Sequence, residues 1–427
     1  MPTQSPLIGR GVSGTSSVQP KSKAVTMPNA QRQAISALEQ AKISEEQFFA
    51  DENLSITENP PERWVMMHVS MYGADQYQIF LGTSGIKLTQ TTPKKCPNLA
   101  LGEMIQNEEL SKTVLPRNIW RLTKGYAYPS LMELDQQLAV LCQHFENQEW
   151  YLVIADHTDF EIPWEMIKFP KHGYLGAAFT VIRWHDIGTS RTETCSGKIL
   201  AYVLDELSSA KSERHFFQNT FNVKPFDDIK AFRNQLQKNE VGYGFIYMAC
   251  HGTFFQINPQ TPDEQGILNV AFGSGSPNSE QQKLYYLDLV DLPCSLIKQS
   301  QSLVFLNFCQ SGRHRVDDKF FRDDYRRGFA ELFLTKGARG VIGTLAQVHD
   351  TYAAEIAHRF IQAALRSPHL PIAVLLRHLR IDAAKQLSDD PTDEELLQFL
   401  YTFLYVYYGN PTTKLHLTTC EESDNEP

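Results

Sequence analysis

The 427 residues lack several signals, and each absence closes off a class of function. No apolar run approaches the roughly 18 residues that a membrane-spanning helix needs. The N-terminus carries no apolar signal core, so a cytoplasmic protein is expected. The seven cysteines (96, 142, 195, 250, 294, 309 and 420) are scattered, odd in number and without a CxxC pair. That pattern speaks against a disulfide framework or a zinc site, and neither a metal nor a cofactor is expected. Positive charge is in deficit, with 40 Lys and Arg against 49 Asp and Glu. The resulting formal charge of −9 argues against direct nucleic-acid binding. There is no GxSxG elbow, no HExxH and no GxxxxGK, which sets aside α/β-hydrolase, zinc-peptidase and P-loop chemistry.

Core material is ample. An apolar fraction of 42%, with 11% aromatic residues, suffices for a well-packed interior. The length allows two or three domains, or one with a large extension. Residues 1 to about 28 are rich in Ser, Pro, Gly, Thr and Lys and read as a disordered tail. Ile35, Leu38, Ala41 and Ile43 suggest a short helix, so 1–55 is expected to hold a tail and a helix. Over 56–149 an N-terminal α+β subdomain is expected. Runs 64–71 and 77–81 form a hairpin across Gly73-Ala74-Asp75, with a third strand at 86–88. A helix over 131–145 carries Leu131, Leu134, Leu138, Leu141 and Cys142 on one face.

From Trp150 the pattern changes. Strands at 150–155 and 179–184 flank Pro163-Trp164-Glu165, which reads as a capped turn with its Trp buried. Strands then alternate with helices: 199–204, helix 227–236, 244–249, 302–308, helix 329–334 capped by Gly337, and 340–345. Helices at 351–365, 372–387 and 393–400 follow, then an edge strand at 403–408. This alternation means an α/β fold, a largely parallel sheet flanked by helices, over 150–417. Residues 418–427 read as an acidic tail. Gly273-Ser274-Gly275-Ser276 lacks phosphate-loop spacing and reads as a flexible loop.

Two strands end in reactive side chains. Ser302 to Phe308 is an apolar run that delivers Cys309, followed by Gln310-Ser311-Gly312, where the glycine marks a sharp exit turn. Gly244 to Ala249 ends in Cys250-His251-Gly252. In an open parallel sheet, reacting groups collect beyond the carboxyl ends of strands. A thiolate attacks carbonyl carbon well, and a nearby imidazole both generates it and protonates the leaving amine. The N–H groups of Gly252 and Cys309 are candidate oxyanion donors. By spacing alone, a buried cysteine at a strand end is more often inert core than nucleophile.

The motifs in combination are more specific. Ala249-Cys250-His251-Gly252, Leu306-Asn307-Phe308-Cys309-Gln310-Ser311-Gly312, Gly337 to Leu345 and Asp350 occur in order, with Ile162-Pro163-Trp164-Glu165 upstream and Tyr408-Gly409-Asn410-Pro411 downstream. Over roughly 150–412 the chain resembles the CHAT peptidases, of the caspase–separase clan of cysteine proteases. The sequence departs from the family pattern at Ala346, where a Trp is usual. It departs again at Phe308-Cys309-Gln310-Ser311, where ACxT or GCSS is common.

The resemblance implies a caspase-like fold and a cysteine endopeptidase with a His251/Cys309 dyad working through a thioester. It also implies a protein substrate, and a regulatory protein partner or signal in a bacterial defence, stress or cell-death system. Separases, similar in the same segment, select arginine with an acid just past the fourth strand, where Asp350 falls. Asp350 also reads as the N-cap of a helix starting at Thr351. Asp205 is a second candidate for the S1 pocket, and Glu206 a weaker one. The charged stretch Arg313 to Arg327 lies where clan members place activation loops, with Arg313, Arg315, Arg326 and Arg327 as possible cleavage points; a solvated surface loop is the plainer reading. A catalytically weak interaction module on the same scaffold is the alternative function.

Overall fold

The computed structural model describes residues 63–419 apart from 84–85, 88–89, 98, 106–113, 147, 159, 185–193, 255–269, 277–279 and 317–325. The tail and helix expected within 1–55, and the acidic end from 420, lie outside the described residues. Trp64–Met71 (β1) and Gln76–Thr83 (β2) form the expected hairpin, in register from Met66↔Gly82 to Met71↔Tyr77. Every second residue of β2 is buried, the period of a strand with one covered face. Leu115–Ser130 (α1) and Met132–Phe145 (α2) follow. The sequence reading had no counterpart to α1. Its Gly125 and Pro129 obscure the period that burial of Ile119, Trp120, Thr123 and Ala127 reveals.

Next come Tyr151–Asp156 (β3), Thr180–Arg183 (β4) and Ile199–Val203 (β5). Helices Ala210–Phe221 (α3) and Ile229–Leu236 (α4) lead to Phe245–Ala249 (β6). A small ribbon of His251–Thr253 (β7), Ala271–Gly273 (β8) and Lys283–Tyr285 (β9) precedes Leu303–Asn307 (β10). Phe329–Thr335 (α5), Gly340–Thr344 (β11), Asp350–Arg366 (α6), Ile372–Gln386 (α7), Asp393–Leu404 (α8) and Tyr405–Gly409 (β12) complete the main elements. The chemistry of the termini explains several boundaries. Asp228 accepts the Ala231 N–H to open α4, and Thr392 with Glu395 forms a capping box for α8.

The strands lie in the order β5-β6-β10-β11-β12-β4-β3-β1-β2, extended by Ile86–Lys87 and Lys94–Lys95 to an 11-stranded sheet. β5, β6, β10 and β11 are mutually parallel. β12 runs antiparallel to β11 and parallel to β4; β4, β3 and β1 are parallel again. The fold is therefore mixed α/β, with a large, mostly parallel sheet flanked by helices and an antiparallel seam between two parallel blocks. One expectation is corrected: the strand read as an edge, β12, lies in the middle of the sheet and is buried along its whole length. It is the last long strand in the chain, but chain order does not fix sheet order. The hairpin β1/β2 extends the same sheet. Val65, Met67 and Ile79 share a core cluster with Leu134, Leu138, Leu152, Trp164 and Val181, on both sides of residue 150. Among the described residues no helix is long and apolar enough to cross a membrane.

Pro163-Trp164-Glu165 forms a single 3-10 turn over Trp164–Met166 with the indole wholly buried, donating to Asp156 at 2.8 Å. Glu165 is buried beside it and accepts two hydrogen bonds from Arg183, at 3.0 and 2.6 Å. Burial opposes the charge on Glu165, but the Arg183 guanidinium outweighs it and holds the carboxyl below its ordinary range. Arg183 also donates to the Ile162 carbonyl at 2.9 Å, and buried Arg380 of α7 donates to the Tyr405 carbonyl at 2.6 Å. The motif thus fastens β4, α7 and β12 together. Arg183→Met leaves the Glu165 carboxylate buried without its partner, and should cost about 3–5 kcal/mol in urea unfolding. Arg183→Met/Glu165→Leu should recover most of that loss. A single-variant cost below about 1 kcal/mol, typical of exposed pairs, would show that the pair does not hold the sheet.

Candidate active site

β5, β6, β10 and β11 are parallel and in register, so their carboxyl ends share one edge of the sheet. A cavity of about 300 Å³ opens there. His251 and Cys309 both line it, together with Glu206, Glu213, Asn307 and Asp350. The structure therefore brings the two expected reactive residues to one site. Cys309 is half-buried, and its thiol lies 3.7 Å from the Val348 carbonyl as a weak donor. Cys250, its neighbour in sequence to His251, is core: burial pushes its thiol well above the usual range.

The turn that carries Cys309 is fixed from below. Gln310, not Gly312, takes the left-handed conformation, with φ of 60°. Its N–H donates to the Ala346 carbonyl at 3.0 Å, which anchors the turn to the segment after β11. Gly312 is needed for close approach instead: a Cβ there would lie 2.9 Å from the Gly343 carbonyl carbon. The Gly312 N–H donates to the Thr344 carbonyl at 2.9 Å, and the Tyr408 hydroxyl donates to the Gly312 carbonyl at 2.6 Å. Ser311 Oγ donates to the Leu306 carbonyl at 2.8 Å and accepts the Thr344 N–H at 3.0 Å, while Thr344 Oγ1 donates to the Phe308 carbonyl at 2.7 Å. Gly252 packs directly on the backbone of Cys309. A Cβ on it would stand 2.5 Å from the Cys309 carbonyl oxygen and 3.3 Å from its nitrogen.

Three carboxylates line the cavity, and they differ from the expected set. Asp205 does not line it; mostly exposed, it pairs with Arg214 at 2.9 Å. Its neighbour Glu206 lines the cavity instead, with Oε2 3.9 Å from His251 Nε2. Glu206 is held by the Ser274 hydroxyl and by the Gly275 N–H at 2.9 Å. The stretch Gly273 to Ser276 thus packs behind Glu206 and His251. His251 pairs with Gly273 in the β7/β8 ribbon, and a Cβ on Gly275 would lie 2.8 Å from the His251 ring. Asp350 is the first residue of α6, not its cap; His349 caps the helix, accepting the Thr351 N–H at 3.4 Å. The Asp350 carboxylate instead accepts from Ser208, at 2.9 Å from N–H and 3.2 Å from Oγ.

Glu213 was missed by the sequence reading. It is buried on α3, accepts from Ser209 Oγ at 2.7 Å and from the Tyr247 hydroxyl, and is pushed up to about 7, mainly by burial. The available signal was an acid four and eight residues before Phe217 and Phe221, on the helix's apolar stripe.

The stretch from Arg313 is also revised. Arg313 is only 5% exposed, so it is not a surface cleavage point. It grips Glu161 through two hydrogen bonds, at 2.9 and 2.7 Å, and lies over the Phe254 ring at 4.9 Å. A Cβ on Gly102 would meet its guanidinium at 2.3 Å. Arg313 thus ties the turn after Cys309 to the segment after β7 and to the helical turn Leu101–Met104. Arg315–Val316 pairs antiparallel with Arg326–Arg327. The expected disorder between them falls on 317–325, outside the described residues.

Residues 122–416 match the family model described as the CHAT domain. No curated protein matches the chain. Among solved structures, one Saccharomyces cerevisiae separase–securin complex is similar with a TM-score of 0.47 at 10% identity, covering 88% of this chain and 31% of that one. Another structure of the same complex gives 0.39 at 12%, covering 63% and 15%. The complex of Porphyromonas gingivalis RgpB pro- and mature domains gives 0.38 at 12%, covering 67% and 71%. The chain therefore spans less than a third of the separase chains it matches.

Gly252→Ala should force the His251 segment away from Cys309. A displacement of that kind is expected to slow alkylation of Cys309 by a peptide-like electrophile roughly 10- to 100-fold. Mass spectrometry reads the alkylation and circular dichroism checks the fold. An unchanged rate in a folded variant would show that this contact does not position the thiol.

Proposed function

The chain belongs to the CHAT-domain family, and on that premise we propose that it is a cysteine endopeptidase with Cys309 as nucleophile and His251 as general base and acid. The observation that carries this reading is that both side chains line one cavity at the carboxyl ends of β6 and β10. His251 takes the thiol proton, and the thiolate adds to the scissile carbonyl. The N–H groups of Gly252 and Cys309 receive the oxyanion. His251 then protonates the leaving amine, giving a thioester, and activates the water that hydrolyses it. Glu206 Oε2 stands 3.9 Å from His251 Nε2, where it can orient the ring as the proton moves.

The acidic lining argues for a basic P1 residue. Asp350, free of capping duty, is placed for charge-assisted hydrogen bonds to an Arg or Lys side chain. Glu206 takes the part foreseen for Asp205. The substrate is a specific protein, and a regulatory protein partner or signal aligns the site, in a cytoplasmic bacterial defence, stress or cell-death system. Activation by cutting would act between Arg315 and Arg327 rather than at buried Arg313.

An arginyl acyloxymethyl ketone peptide should label Cys309 covalently, with no labelling in Cys309→Ala and labelling slowed roughly 10²- to 10⁴-fold in His251→Ala. Asp350→Asn should lower labelling by the arginyl probe about tenfold or more while sparing a neutral probe. Absence of labelling at Cys309, with the cellular effect intact in Cys309→Ala, would favour the scaffold module instead.

A further inference from the structure

Glu213 has no part in the reaction as written, yet it lines the cavity while being only 1% exposed. We infer that Glu213 is a proton-coupled specificity residue: it releases its proton to solvent as a guanidinium or ammonium side chain enters the cavity. This rests on the peptidase reading above and deepens it, adding a pH-dependent selector to the basic P1 preference.

Each element packed against Glu213 contributes. From β6 the Tyr247 hydroxyl donates to one carboxyl oxygen, and ahead of α3 the Ser209 hydroxyl donates to the other. Tyr247 in turn accepts from Asn307 Nδ2 at 2.6 Å, and Asn307 Oδ1 accepts from the Tyr405 hydroxyl of β12. Both tyrosines are kept neutral by burial. From α6 comes the Asp350 carboxylate, a like charge that raises the cost of ionising Glu213. The Arg214 cation on the same helix offsets little of it, because it is engaged by Asp205, Asp227 and the Val203 carbonyl. Across the cavity stand Glu206, His251, Cys250 and Cys309.

None of these groups pairs with Glu213 as a cation, so burial wins over the two donors and its carboxyl stays high, at about 7. A cation entering between Asp350 and Glu213 reverses that balance, since opposite charge favours the ionised carboxyl. Here Asp350 is the standing attraction and Glu213 the acid that responds.

The test compares two probes of the same length, one with P1 arginine and one with P1 citrulline, its neutral isostere. Ionisation of Cys309 and His251 acts on both, so the ratio of their labelling rates at Cys309 isolates recognition of the charge. In the native protein the arginine-to-citrulline ratio should rise roughly tenfold from pH 6 to pH 8. In Glu213→Gln it should stay flat. A flat ratio in the native protein overturns the inference whether or not the variant folds. A slope that persists in folded Glu213→Gln overturns it too, by assigning the titration to another group. Labelling by neither probe removes the peptidase reading and this inference with it, whereas labelling by both at a constant ratio removes this inference alone.

Discussion

The exchange between Ser311 and Thr344 is the constraint on which the candidate site depends. A strand end is free to fray, and a thiol two residues beyond it has no intrinsic reason to face one direction. Here the Thr344 hydroxyl donates to Phe308 on one side of Cys309, while its N–H is taken by Ser311 on the other. The thiol-bearing residue is thereby bracketed by bonds to the neighbouring strand. Such bonds form only if β10 and β11 keep their parallel register, in which Phe305 faces Ile342. The left-handed Gln310 and the close approach of Gly312 to Gly343 follow from that bracket, because the chain must turn within three residues to make it.

β12 gives the bracket its floor. A strand in the middle of a sheet would ordinarily carry aliphatic residues, yet this one reads Tyr-Val-Tyr-Tyr-Gly. Two of its hydroxyls reach across β11, Tyr408 to the Gly312 carbonyl and Tyr405 to Asn307 at the end of β10. Buried hydroxyls need partners, and these find them at the end of β10 and in the turn that follows Cys309. The antiparallel seam thus brings polar groups beneath β10 that a parallel neighbour connected through a helix had no need to supply. Arg313 does similar work at the rim, where its bidentate pairing with Glu161 fixes the far end of the same turn.

The sequence made the skeleton legible because apolar runs bounded by polar residues are physically sufficient to define buried strands. β5, β6, β10 and β11 needed nothing more, whereas singling out His251 and Cys309 at the ends of two of them took the motifs in combination. Side-chain direction was less accessible. Asp205 and Glu206 are adjacent, and the turn they share sends one to Arg214 and the other into the cavity. No composition rule chooses between them. Asp350 looked like a cap because acids before helices usually are, but the helix begins one residue earlier and His349 takes that place. Arg313 looked exposed because charged runs usually are, and its partner Glu161 lies 152 residues away. Glu213 was hidden by its helical setting, since a lone acid on an amphipathic face carries no motif.

These misses share a cause that bears on function. Each concerns a charge whose position is decided by its partner in the fold, and three of the acids involved, Glu206, Glu213 and Asp350, meet at one cavity. Burying a carboxylate without a cation is costly, and a fold gains no stability from gathering Glu206, Glu213 and Asp350 about 300 Å³ of open space. Elsewhere the protein answers the same problem internally, as Arg183 does for Glu165. At the cavity the nearest cation to Glu213, Arg214, is turned toward Asp205 and Asp227 instead. A structural acid cluster would be expected to carry its own counter-charge, as Glu165 does. A recognition site leaves that charge to be supplied by what binds, and the contrast between these two buried glutamates is the strongest physical reason to read the cavity as a place for a basic side chain.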